Sequence, residues 1–234
     1  MKIEAVCEYN QNGWLIYAAN YPGAYVRGAS KNEALAKFPG ELRSYLRWAR
    51  KIAEFEGVDI EIVQEKISEL QICDADSDIL FDAERAPLST EEYDVLRSLA
   101  LRSARDFRSL YESIPNPDIS HRPARRSFYG AVPRTPREMY EHTNKVTAYY
   151  AAAFGIELEN LPDIYANRMQ MLAELEGLED FCSDRVYTAP DGELWTLRKV
   201  LRRLIWHDRI HARAMWRTAA ALWGSAVCNP FFFI

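Results

Sequence analysis

The chain has 234 residues, of which 48% are hydrophobic and 27% are charged, a composition typical of a folded globular protein rather than a disordered one. Its net charge of −5 is unevenly distributed: residues 1–88 carry 10 basic and 15 acidic side chains, and the rest carry 19 of each. Neither part has the basic excess of a nucleic-acid-binding protein, so no nucleic-acid partner is expected. No stretch approaches the roughly 18 apolar residues of a membrane span, and the amino terminus lacks the apolar run of a signal peptide. We therefore expect no membrane association.

The chain contains four widely separated cysteines and no CxxC pair: Cys7, Cys73, Cys182 and Cys228. This spacing favours reduced thiols over disulfides. Reduced thiols in turn favour a cytoplasmic protein.

The first part of the chain alternates as strands do. The runs IEAVCEY and WLIYAA are separated by an Asn-Gly pair at positions 12 and 13, a strong hairpin-turn signal, and AYVRGA and IEIVQEKI are two further candidate strands. Between the last two, Ser30 and Glu33 form a capping box that begins a helix. This helix should reach about Arg50, with a kink or break at Pro39. The predicted order is β-β-β-α-β.

From Ser89 the apolar period becomes helical, and four helices are predicted. Two of them begin with capping boxes, Ser89 with Glu92 and Thr135 with Glu138. The predicted extents are about 89–114, 135–155, 160–177 and 193–224, the last being on the order of 45 Å long. Four amphipathic helices in succession indicate a bundle. The fold class is therefore α+β, with one domain at residues 1–85 and a four-helix bundle at residues 86–234.

Three of the four histidines are predicted to face the interior of this bundle. His207 and His211 lie four residues apart on the apolar stripe of the last helix, so their imidazoles share one face. His142 lies on the second helix, whose buried face is predicted from Met139, Val146, Tyr149 and Ala153. Such histidines are either hydrogen-bonded core residues or ligands of a divalent metal, and the pattern alone leaves both interpretations open.

Residues 89–224 resemble the DinB/YfiT-like family of four-helix metalloproteins. The likeness is carried by EMYEHTNKV in the second helix and WHDRIHARAM in the last. It implies that His142, His207 and His211 bind a divalent metal ion, zinc or nickel. Family members include thiol S-transferases and a thiol-dependent isomerase, and many others have no known reaction. The resemblance thus implies a metal-dependent transferase or related hydrolase with a small thiol as cosubstrate, and it does not identify catalytic residues.

The segment NYPGAYVRGASKNEAL resembles HicB-type antitoxin domains, which have a small β-β-β-α-β fold related to a partial RNase H shape. The likeness covers about residues 1–75 and implies a module that binds a protein partner or forms a homodimer. The alternative function is therefore a non-catalytic protein-binding module on a metal-stabilised helical scaffold. The RNase H relation brings no catalytic acid cluster, because Glu4, Glu8 and Glu41 are expected to be solvated surface residues.

Three other features are ambiguous. The loop SHRPARRSFYGAVPRTPR is either a lid that binds an anionic substrate or a solvated loop, and its arginines are Arg122, Arg125, Arg126, Arg134 and Arg137. Asp208 should point about 100° away from His207 on an ideal helix and is expected to be a surface acid. The tryptophans assigned to the last helix are expected to be packing or interface residues: Trp195, Trp206, Trp216 and Trp223.

Overall fold

The computed structural model describes residues 1–52 and 54–234. These residues form a mixed α+β protein, as the sequence predicted, and they divide into two compact units. One unit comprises Met1–Ala83 together with Phe231–Ile234, and the other comprises Glu84–Pro230. Among the described residues, no helix combines the length and apolarity needed to cross a membrane.

The first unit is built on a four-stranded mixed sheet. Its strands are β1 (Lys2–Asn10), β2 (Gly13–Ala18), β3 (Tyr25–Gly28) and β4 (Asp59–Ile67), in the order β3-β2-β1-β4. β1, β2 and β3 are joined antiparallel, and β4 lies parallel to β1. The hairpin closes at the predicted Asn-Gly turn, where Asn10 pairs with Gly13. The four predicted strands are confirmed.

The helix predicted between β3 and β4 is two helices, α1 (Lys31–Leu35) and α2 (Phe38–Arg50). Ser30 is the N-cap of α1, and its hydroxyl accepts a hydrogen bond from the Glu33 backbone amide at 3.2 Å. Pro39 lies in the first turn of α2, where its missing amide hydrogen leaves no intrahelical bond unmade. The chain therefore breaks before the proline instead of kinking at it.

The core of the first unit covers both faces of β1, since residues 5–8 are all buried. The expectation that Glu8 and Glu41 are solvated is wrong: they are 0% and 6% exposed. The Glu8 carboxylate accepts a 2.5 Å hydrogen bond from Ser77 Oγ, which in turn accepts one from Tyr17 OH at 2.8 Å. Burial raises the pKa of Glu8 to about 7, with Ser77 opposing and Asp78 reinforcing that change.

The carboxyl-terminal residues Phe231–Ile234 complete this unit. Phe231 is fully buried, and its ring lies 5.3 Å from that of Trp48 and 5.3 Å from that of Phe233. Ser44 Oγ donates a hydrogen bond to the Phe231 carbonyl oxygen at 3.0 Å. The tail is therefore part of a packed core.

The second unit contains the four predicted helices: α3 (Thr90–Glu112), α4 (Pro136–Ala152), α5 (Ile164–Glu176) and α6 (Leu197–Trp223). α3 and α4 each pack against both α5 and α6. Both predicted capping boxes are present, at Ser89 and at Thr135. Each helix thus has two main neighbours, which gives the unit a common interior.

Two helices begin later than predicted, and two short hairpins were not predicted. Asp163 and Thr196 are the N-caps of α5 and α6. Just before α6, β7 (Tyr187–Thr188) pairs with β8 (Leu194–Trp195). In the arginine-rich loop, β5 (Arg126–Ser127) pairs with β6 (Gly130–Ala131). Strands of two residues are too short to produce a recognisable alternation in the sequence.

Candidate metal centre

Three histidines from two helices converge inside the second unit. The ring centroids of His207 and His211 lie 4.4 Å apart, and His142 lies 4.7 Å from His211 and 5.3 Å from His207. One nitrogen of each ring can be chosen so that all three lie within 4.8 Å of one another. The structure therefore brings together the three residues that the sequence selected.

Helix geometry explains this convergence. Four residues make slightly more than one turn, so His207 and His211 occupy adjacent levels of one face of α6. On α4 the predicted buried face is wrong in part, because Tyr149 is 52% exposed. The buried positions are instead Met139, Thr143, Thr147 and Tyr150 among others. His142 consequently lies half-buried at the edge of that face, beside α6.

The site is partly dehydrated, and this favours the neutral form of His142 and His207. His207 is 8% exposed, and its Nδ1 is buried without a hydrogen-bond partner. Burial lowers the pKa of His207 well below its ordinary value, with smaller contributions from the other two histidines. Burial, followed by the charge of Lys145, also lowers the pKa of His142. Neutral imidazole is the form that binds a metal ion.

Aromatic side chains surround the histidines. The Tyr129 ring, at the turn between β5 and β6, stacks on His142 with centroids 5.3 Å apart. The Tyr150 and Trp206 rings each lie 6.3 Å from the His207 ring. Sequence analysis assigned Tyr129 and Tyr150 no role. The aromatic residues of the arginine-rich loop could have drawn attention to Tyr129. No periodic pattern distinguished Tyr150 from other residues of α4.

Asp208 is not the surface acid that was predicted. It is 0% exposed, accepts a hydrogen bond from Ser103 Oγ at 2.8 Å and pairs with Arg168 Nη2 at 3.0 Å. Burial raises the pKa of its carboxyl, while Arg168 opposes that effect. The prediction failed because every residue of α6 from 199 to 209 is buried, so a side chain about 100° away from His207 still points into the protein and not to water.

The arginines of the loop between α3 and α4, the fourth histidine and the tryptophans were the other residues considered from the sequence. In the arginine-rich loop, Arg137 forms an ion pair with Asp118, and Arg122 donates to the Ala214 carbonyl oxygen at 3.4 Å. The lid interpretation of this loop stays a prediction. His121 is exposed in the same loop. Of the four tryptophans, Trp195 and Trp206 are buried, and Trp195 belongs to β8 and not to α6.

No protein-family model, curated protein or solved structure matches this chain. Any functional assignment therefore depends on the chemistry of the site itself.

Proposed function

We propose that the protein is a metal-dependent enzyme of the DinB/YfiT-like type that binds one divalent ion, zinc or nickel, through His142, His207 and His211. Its reaction is transfer to a small thiol or a related hydrolysis. The observation that carries the proposal is the convergence of three imidazole nitrogens within 4.8 Å. Three histidines are also the ligand set of known catalytic zinc sites.

The residues fit a metal ion in three respects. Nitrogens bound to zinc at 2.0–2.1 Å in tetrahedral geometry lie about 3.3 Å apart. The three histidine nitrogens lie within 4.8 Å of one another, so small side-chain rotations would bring them to that spacing. Nδ1 of His207 is buried without a hydrogen-bond partner, a costly state that coordination through this nitrogen would relieve. The lowered pKa values of His142 and His207 favour the neutral ligand form near pH 7.

A bound divalent ion with three neutral ligands would keep an open coordination position, at which the pKa of a water or thiol is lowered. The chain's own residues would shape the approach to that position. Tyr129 covers one side of His142, and Tyr150 packs edge-on against His207. These rings restrict water around the histidines, which strengthens electrostatic interactions within the site.

The alternative is a non-catalytic protein in which the metal only stabilises the helices and the HicB-like domain binds a protein partner or a second copy. The close aromatic surroundings of the histidines favour this alternative, because a structural metal site is closed while a catalytic site needs room for substrate. The two functions therefore differ in whether an external ligand can reach the metal.

Cobalt substitution separates them. Thiolate is a soft, strong donor, so adding a small thiol to the Co²⁺-loaded protein should produce a sulfur-to-metal charge-transfer band in the near ultraviolet while cobalt stays bound. The His121→Ala variant, which alters the exposed fourth histidine, should give the same band. The His142→Ala variant should bind cobalt weakly.

Release of cobalt without that band, or no spectral response at saturating thiol, would reject thiol transfer and leave a hydrolytic or structural site. Failure of the wild-type protein to bind cobalt at all would reject the metal site itself.

A further inference from the structure

Strand β4 forms an open edge of the sheet in the first unit. It comes last in the strand order, so one side of it pairs with β1, while the other side pairs with no strand in the described part of the chain. Apolar side chains are exposed along this strand: Ile62 is 37% exposed, Val63 48% and Ile67 73%. The strand is nine residues long and contains no proline that would prevent pairing. Such an edge can accept a further strand.

One extra residue in β4 decides which of its side chains share a face of the sheet. Ala5 of β1 lies opposite Ile62, and the next residue of β1, Val6, lies opposite Gln64, so Val63 is a bulge. Side chains alternate between the two faces along a strand, and paired residues point to the same face. One face therefore has four residues of β4: Ile60, Ile62, Glu65 and Ile67. The opposite face has Glu61, Gln64 and Lys66.

The backbone groups on the outer side of β4 follow the same pattern. At the two ends of the strand, the amides of Asp59 and Ser68 each donate a 2.9 Å hydrogen bond towards β1, to the carbonyl oxygens of Met1 and Tyr9. Successive residues of a strand direct their N–H and C=O groups to opposite sides. The groups that point away from β1 are therefore those of Ile60, Ile62, Glu65 and Ile67. Outside the sheet, no described segment supplies a backbone partner for these four residues.

A second β4 strand fits this edge in an antiparallel register. Three kinds of residue pair then lie opposite each other: Ile60 with Ile67, Ile62 with Glu65, and Glu61 with Lys66. Both members of each pair belong to the same face, and the first two pairs join residues whose outward backbone groups meet. Without the bulge this register would oppose residues from different faces. A bulge usually protects an edge strand from pairing, but two copies of this bulged strand match each other.

The side chains are complementary in the same register. Ile60 meets Ile67 of the second copy twice, once on each side of the two-fold axis, and Glu61 meets Lys66 with opposite charge. The side chains of Glu61 and Lys66 are 55% and 37% exposed, although Glu61 pairs with Lys2 and Lys66 with Asp78 in their own chain. Exposed charges contribute little energy, so they favour this register while the backbone and the isoleucines supply most of the binding.

We infer that the protein forms a homodimer through antiparallel pairing of its β4 strands, which joins the two sheets into one continuous sheet. A second copy is the partner that fits, because two-fold symmetry supplies the matching bulge, the isoleucines and the opposite charges together. The interface is independent of the proposed function, since β4 contains none of the three histidines.

Sedimentation velocity on the full-length protein over a range of concentrations tests this dimer. The fraction of dimer should rise with concentration. Ile67→Asp should weaken dimerisation about fivefold or more, because both symmetry-related contacts between Ile60 and Ile67 are lost at once. Val95→Asp, at a position of α3 that is 66% exposed, should leave dimerisation unchanged. Circular dichroism verifies that each variant is folded.

A disulfide cross-link tests the register. The exposed Cys73 and Cys228 are first replaced by serine. In this background Ile60→Cys/Ile67→Cys places cysteines at opposed positions, whose Cα atoms lie about 5.5 Å apart in a hydrogen-bonded antiparallel pair, within the range for a disulfide. Mild oxidation should give a covalent dimer on a denaturing gel. Ile60→Cys alone in the same background should stay a single chain.

Protein that sediments as a monomer at every concentration at which it is soluble would overturn the inference. A dimer that is unchanged by folded Ile67→Asp and gives no cross-link specific to Ile60→Cys/Ile67→Cys would also overturn it, because its interface would lie elsewhere. A dimer formed through β4 by a protein that binds no cobalt would support the inference and reject the proposed function, so the two can fail separately.

Discussion

Replacing Glu8 with Gln should make the stability of the first unit much less dependent on pH. Glu8 is 0% exposed, and its carboxylate accepts a hydrogen bond from Ser77. Burial is the main cause that raises its pKa from an ordinary 4.5 to about 7. The Gln amide can accept the same Ser77 hydrogen bond without carrying a charge at any pH.

The magnitude follows from the two pKa values. Below pH 4.5 Glu8 is protonated in both the folded and the unfolded chain, and its contribution to stability is fully present. As the pH rises from 4.5 to about 7, the unfolded chain releases this proton while the folded chain keeps it, so stability falls. At about 1.4 kcal/mol per pH unit the loss amounts to roughly 3 kcal/mol by pH 8. The Glu8→Gln variant should avoid most of that loss.

Hydrogen exchange measured by mass spectrometry can follow this one unit within the full-length chain. Amides of β1 and β2 should open more readily at pH 8 than at pH 6 in the wild-type protein, after correction for intrinsic exchange rates, and about equally at both pH values in Glu8→Gln. Glu4→Gln, the same substitution at a partly exposed position of β1, should retain the wild-type dependence on pH. Equal pH dependence in Glu8→Gln and the wild type would refute the assignment of the raised pKa to Glu8.

Two further predictions concern the second unit. Asp208→Leu should destabilise this unit by about 3–5 kcal/mol in urea unfolding, because Arg168 stays buried with its charge uncompensated. The double variant Arg168→Met/Asp208→Leu should recover most of that loss of stability. Equal destabilisation by the single and double variants would contradict this prediction. A fragment of residues 84–230 should be soluble and helical by circular dichroism on its own, since these residues form one compact unit. Aggregation of the fragment, or loss of its helicity, would show that the core of the second unit depends on the first unit.

Local sequence signals identified much of this fold. The capping boxes at Ser89 and Thr135 involve residues three apart, so the pattern of the chain itself specifies them. The pairing of His207 with His211 on one helix face follows from helix geometry in the same way. These features need no knowledge of distant contacts. That the histidines bind a metal ion stays a prediction.

The features that sequence analysis missed depend on partners far along the chain. Glu8 is buried, and the hydroxyl that donates a hydrogen bond to it belongs to Ser77, 69 residues away. Asp208 is buried opposite Arg168, which lies 40 residues away in the chain. Tyr129 contacts His142 from the turn of a hairpin whose two strands have two residues each. An acidic residue in an isolated sequence is expected at the surface, since the opposing charge or donor that allows its burial is not apparent.

Metal content tests the central claim most directly. Untagged protein, purified without chelators and measured by elemental analysis, should contain close to one divalent ion per chain, with zinc or nickel as the metal. Each of His142→Ala, His207→Ala and His211→Ala should lose most of that metal while His121→Ala retains it. Wild-type protein that carries no metal and takes none up on dialysis, together with three ligand variants as stable as the wild type, would contradict the account.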